Sequence, residues 1–291
     1  MSRKSLIFCL AILAGMLVGI GIALCVLYSG TGDSGDDAKE KVADNARYLL
    51  LPAVPSDAVL LSCFSEADKV LENIHASSDF PAALKDAGVR LGRMTVSLHF
   101  SGKLTALYVL DMGKASPQPS ETAEAVLAAA RSCGMSAEYM DCSTTGNRYS
   151  ISDRSIVVAS LSESLVKSSL RHIQKSVSIL EASGFAEASA YVSSGNMIFV
   201  SNELSAKVLS SIFGNKYNSW IRFAPKVSDW TVFDLTEIGE DISLYGSLVT
   251  DGDQSDFISV FSRTGTASSK LSSVLPSNTL SAATLPVVNV A

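Results

Sequence analysis

Three histidines carry most of the chemical potential of this 291-residue chain: His75, His99 and His172. The local patterns put them on a helix end, a strand and a helix. His99 alternates with Ser97 and Ser101 along its strand, which assigns it to the outward face as an ordinary surface histidine. A serine hydroxyl within hydrogen-bond reach of His99 or His172 would make a nucleophile–base pair, so an anchored serine hydrolase is the alternative to a non-catalytic reading. The common catalytic templates are absent: no H-E-x-x-H, paired C-x-x-C, P-loop or G-x-S-x-G occurs. The acidic run Asp251–Asp256 suggests a calcium loop, but Thr264-Gly265 stands where an EF-hand needs a bidentate glutamate, so it reads as a hairpin loop. No catalytic, cofactor-binding or metal-ligating set emerges, and no cofactor is expected. Of five cysteines, Cys9 and Cys25 lie in an apolar amino-terminal run. Cys133 and Cys142 are close enough in sequence to pair; the competing reading makes them and Cys63 small buried apolar residues.

Two surfaces stand out instead. From Ser164 to Leu180 the residues Val166, Leu170, Ile173, Val177 and Leu180 recur at helical spacing, which predicts one continuous apolar stripe. Lys167, Arg171 and Lys175 step by four along another face, beside His172, and would suit lipid head groups or an acidic partner. An ordinary solvated helix face is the plainer explanation, since three cations are fewer than a usual polybasic cluster. Tyr217–Trp230 is the most aromatic window after the amino-terminal run. Tyr217, Trp220, Phe223 and Trp230 would line a groove if exposed and build core if not. Lys167, Arg171, Lys175, Tyr217, Trp220 and Trp230 are therefore the candidate interaction residues.

The elements that position these residues follow from pattern and punctuation. Ala58–Phe64 reads as a short apolar strand, and Ser65-Glu66 opens a helix through Val70, Leu71 and Ile74. This strand–serine–helix unit recurs at Ile156–Leu161 and at Met197–Val200, with Lys69-Val70, Val166-Lys167 and Lys207-Val208 following. Helix capping by serine or asparagine is a sufficient cause, and spacings of 97 and 39 residues are too irregular for a solenoid. Met94–Phe100 and Leu104–Asp111 form a hairpin across Ser101-Gly102-Lys103. An Ala-rich helix begins after Pro119-Ser120 and closes at Arg131 and Gly134. Further strands are expected at Ala137–Cys142, Arg148–Ser152, Asp229–Leu235, Ile242–Val249 and Asp256–Phe261, and a helix at Asn45–Leu50. The fold class is α+β: an amino-terminal transmembrane helix followed by a mixed, largely antiparallel sheet with helices packed on it.

Leu6–Tyr28 contains no charged side chain. As a helix it would be about 34 Å long, enough to cross a hydrocarbon core of about 30 Å. Arg3 and Lys4 precede it, which keeps the amino terminus cytoplasmic and the remainder outside. A cleaved signal peptide is the alternative, against which stand the length of the run and the lack of an A-x-A-like site. The expected layout is a cytoplasmic stub (1–4), an anchor in the bilayer (5–28), an acidic stalk (29–47), an extracytoplasmic α+β domain (48–270) and a tail (271–291). Without Arg3 and Lys4, 21 basic residues face 29 acidic ones. An acidic domain gains nothing from counterion release, which argues against nucleic acid as a partner.

In the tail, Leu275-Pro276-Ser277-Asn278-Thr279-Leu280 echoes Val54-Pro55-Ser56-Asp57-Ala58-Val59. It reads as the start of a truncated second repeat, or as a short strand completing the first sheet. The amino-terminal anchor, the Pro-Ser-Asp-Ala-Val lead-in at Pro55–Val59 and the strand–serine–helix at Ile156–Leu170 together resemble bacterial membrane-anchored envelope proteins of the domain-of-unknown-function type. The resemblance implies a single-pass protein of the inner membrane with its main domain in the periplasm, and it carries over no catalytic residues. The expected function is a binding or scaffold module without chemistry of its own, whose partner is an envelope protein or the cell wall.

Overall fold

The computed structural model describes residues 49–73, 79–144, 150–175, 177–192, 195–213, 218–238 and 242–250. The expected anchor, stalk and tail, the strand at Asp256–Phe261, the acidic 251–256 run, His75 and Tyr217 lie outside them. Among the described residues no helix is long and apolar enough to cross a membrane.

Eight strands form one sheet in the order β4-β5-β3-β2-β1-β6-β7-β8. They are β1 (Ala58–Phe64), β2 (Met94–Phe100), β3 (Leu104–Lys114), β4 (Ser136–Asp141), β5 (Arg154–Ser160), β6 (Asn196–Ser201), β7 (Trp230–Ile238) and β8 (Ile242–Val249). Every described pairing is antiparallel, so the fold is α+β, with a more regular sheet than the expected mixed one. The helices are α1 (Ala67–Asn73), α2 (Asp79–Asp86), α3 (Glu121–Ser132), α4 (Glu163–Lys175), α5 (Phe185–Ala190), α6 (Asn202–Phe213) and α7 (Asn218–Phe223).

The topology explains the recurring strand–serine–helix signal. β1-α1-α2-β2-β3 and β6-α6-α7-β7-β8 repeat one β–α–α–β–β order, and each runs outward from a shared centre where β1 pairs β6. Two of the three recurrences open these units; the third, at β5 and α4, does not. Capping accounts for the residue types. Ser162 Oγ accepts from the Leu165 amide, and Ser201 Oγ from that of Leu204. Gly134, at φ 69°, ends α3 in the left-handed conformation that glycine adopts without strain.

Both faces of the sheet are covered. On one, α1, α2 and α3 pack Leu71, Phe80, Leu84, Val126 and Ala130 against Met94, Leu110 and Val157. On the other, two apolar clusters lie side by side. Leu107, Val109, Ile156 and Val158 meet Val166 and Ile173 of α4. Leu61, Met197, Phe199, Trp230 and Val232 meet Phe185 and Ala188 of α5. A strap from Leu49 to Asp57 crosses this second face. Its 3-10 turn (Leu51–Ala53) has three residues per turn, so Leu50 and Ala53 enter one cluster while Leu51 and Val54 enter the other. The helix expected at Asn45–Leu50 lies outside the described residues except for Leu49 and Leu50, which form a turn at the start of the strap.

Two further expectations change. The helix predicted to Leu180 ends at Lys175: Val177 is exposed, and Leu180 belongs to a separate 3-10 turn, Ile179–Glu181. The Ile179 amide donates to the Val54 carbonyl at 2.9 Å and Ser178 caps the new turn, so a strap contact overrides helical periodicity. Of the strand expected at Arg148–Ser152, the first two residues lie outside the described ones, and Ser150–Asp153 forms a 3-10 turn that buries Ile151.

Candidate functional site

β2 sends Thr95, Ser97 and His99 to the strap-covered face, a polar seam between the two apolar clusters. Ser97 has no exposed surface and His99 is 4% exposed. The outward placement of His99 is thus corrected. Alternation put Ser97 and His99 on one face, as expected, but β2 is a central strand and that face is roofed by chain from far away. Asp57, the last residue of the strap, completes the group. Its Oδ1 lies 2.8 Å from His99 Nδ1, and Ser97 Oγ lies 2.9 Å from His99 Nε2. A carboxylate only accepts, so Nδ1 carries a ring proton, and in the neutral ring Nε2 accepts from the serine hydroxyl.

The connectivity is that of a serine–histidine–aspartate relay, but its burial is reversed. In a working relay the serine faces substrate and the carboxylate sits behind the imidazole. Here the Asp57 side chain is 67% exposed, that of His99 only 5%, and the serine lies innermost. The hydrogen bond from His99 holds the Asp57 carboxyl below the usual carboxylate range, against the opposing effect of partial burial. His172 itself is half-buried, with Nδ1 against the Val177 carbonyl.

At the opposite end of the same face the polarity is inverted. Asp111, 4% exposed in its side chain, receives Arg154 Nη2 at 2.6 Å on Oδ2 and Arg154 Nε at 3.1 Å on Oδ1. Arg93 Nη1 stands 3.4 Å from Oδ2 and the Gly113 amide 3.0 Å from Oδ1. This knot sits at the irregularity between Asp111 and Lys114, where β3 and β5 shift register.

Among the described residues the candidate interaction side chains do not converge. Lys167, Arg171 and Lys175 are exposed on α4, and Lys167 is paired with Glu163 one turn away and attracted by Glu138. Trp230 is core: it is 4% exposed, packs edge-on against Phe185 at 5.3 Å, and donates from Nε1 to the Ser183 carbonyl. It therefore offers no surface. Trp220 falls within α7, and its side chain lies outside the description, as does Tyr217. Phe223 is 42% exposed. Cys63, Cys133 and Cys142 form no disulfide, so the Cys133–Cys142 pair is absent. Burial pushes the Cys63 and Cys142 thiols up to about 12, which leaves them unreactive. Among the described residues no group of three His, Cys, Asp or Glu side chains could hold a metal ion.

Sequence reading missed Asp57 and undervalued Ser97. The Ser-x-His spacing on a strand was the available signal; what covers that face was not. No protein-family model matches the chain, and neither a curated protein nor a solved structure matches it.

Proposed function

We propose that this chain is a single-pass, membrane-anchored protein of the bacterial cell envelope whose extracytoplasmic α+β domain binds a protein or cell-wall partner and performs no chemistry itself. The uncharged Leu6–Tyr28 run behind Arg3 and Lys4, the acidic stalk and the resemblance to anchored envelope proteins support the anchor and the address. The observation that carries the binding reading is the reversed relay. A serine without exposed surface, on the sheet face that the strap crosses, gives a substrate carbonyl no approach. Photo-crosslinking of the tagged full chain in intact cells tests it. One recurrent envelope partner, absent from a control carrying residues 1–47 alone, supports the reading. Turnover of an ester or peptide by the purified full chain, abolished by Ser97→Ala, overturns it.

A second reading has a specific observation behind it. The 2.9 Å and 2.8 Å contacts of His99 are those a serine hydrolase needs, and a state with the strap displaced would expose Ser97. That state would carry Asp57 away with the strap and remove the group that orients the imidazole, which is why the binding reading is preferred.

A further inference from the structure

The two exposed cationic regions differ in their surroundings. On α4 the row Lys167, Arg171, Lys175 is interleaved with acid: Glu163 pairs Lys167, and Glu138 on the edge strand β4 adds to the pull. Around α6 and α7 the position is otherwise. Between Glu203 and Asp229 the sequence has no acidic residue and four cations, in a chain whose net charge is −6. α6 and α7 pack together, and the turn Ala224–Lys226 closes the corner they make. Ile221 and Val227 point inward, 6% and 5% exposed. Arg222 and Lys226 are exposed, and so are the large apolar side chains Ile212 on α6 and Phe223 on α7, at 39% and 42%. Lys207 on α6 is exposed too, though bonded to Glu203 at 2.7 Å.

We infer that the α6–α7 corner is a docking surface for an anionic lipid bilayer, with Arg222 and Lys226 at the head groups and Phe223 and Ile212 at the interface. Apolar side chains framed by cations suit that boundary because the cations stay hydrated at the phosphates while the apolar groups leave water. A stretch from 204 to 228 without an acidic residue, on a protein of net charge −6, supplies the charge complementarity. The inference deepens the anchored reading, since the bilayer that would hold residues 5–28 is the one within reach. A 19-residue stalk (29–47) spans at most about 65 Å, ample for the domain to lie down on that bilayer. Bilayer contact would then fix which faces remain open to a partner.

Hydrogen exchange on the full chain tests this, with the protein in liposomes of phosphatidylcholine alone or mixed with phosphatidylglycerol. The expected result is slower exchange across 218–226 on the anionic liposomes only, reversed by high salt, with α4 unchanged. Each cation near an anionic surface contributes about fivefold in affinity, so Arg222→Gln with Lys226→Gln should weaken the contact roughly thirtyfold. Arg222→Lys, which keeps the charge, should retain it, and this separates charge loss from misfolding. Equal exchange on both liposomes, or slowing that maps to α4 instead, overturns the proposal. Flotation with the liposomes after alkaline carbonate washing reports the anchor separately, so failure of the corner and failure of the anchor are distinguishable.

Discussion

The Asp111 knot and the Asp57 relay occupy opposite ends of one sheet face and solve the problem of a buried polar group in opposite ways. At Asp111 the charge itself is buried, and two guanidinium groups with a path to water surround it. At His99 the buried group is an imidazole that can be neutral, and the carboxylate stays in solvent. An interior carboxylate requires close compensation, whereas a neutral imidazole requires only a donor and an acceptor. The first arrangement is therefore stiff and costly to break. The second is graded, and its parts can be removed one at a time.

The sharpest way to break this comparison is Asp111→Ala, which leaves Arg154 and Arg93 facing each other across an empty site. A loss of about 3 kcal/mol is expected in denaturant unfolding, at the low end for a buried pair because both arginines keep solvent access. His99→Ala should cost about 2 kcal/mol, through a cavity and an orphaned Ser97 hydroxyl under the strap. Ser97→Ala should cost about 1 kcal/mol, since Nε2 loses its donor while packing survives. A Ser97→Ala cost as large as that of Asp111→Ala would erase the distinction.

Asp57→Asn should have the smallest effect, below about 1 kcal/mol at neutral pH, because its partner is reached across a solvent-exposed edge. Its pH dependence is the more telling measurement. The carboxyl of Asp57 is held below its ordinary value of about 3.9 in the folded state, so its stabilisation is present above that pH and lost as pH falls through the lowered value. The stability gap between the native protein and Asp57→Asn should thus be constant near neutrality and close in acid. A gap that widens below pH 4 would contradict the assigned hydrogen bond.

Local signals made much of the fold legible. The β2–β3 hairpin, α3 between Ser120 and Gly134, and β8 at Ile242–Val249 all stand where punctuation and alternation put them. What failed was whatever distant chain decides. α4 stops at Lys175 because Ile179 is taken by Val54, 125 residues earlier in the sequence. His99 was given to solvent because nothing within its own strand announces a roof made by residues 49–57 and by α4. Asp57 and His99 are 42 positions apart, so their pairing leaves no local trace. The recurring strand–serine–helix was visible as a pattern, and its meaning, two outward-running β–α–α–β–β units, required knowing that β1 pairs β6.

The reversed burial of Ser97 is the claim on which the functional reading turns, and labelling by a fluorophosphonate probe addresses it directly. The native full chain would be treated alongside Ser97→Ala and a heat-unfolded control. Absence of Ser97-dependent labelling at neutral pH is the predicted result. Rapid labelling of the native chain that disappears in Ser97→Ala and in His99→Ala would contradict it, and would show that the strap opens far enough to make Ser97 a nucleophile.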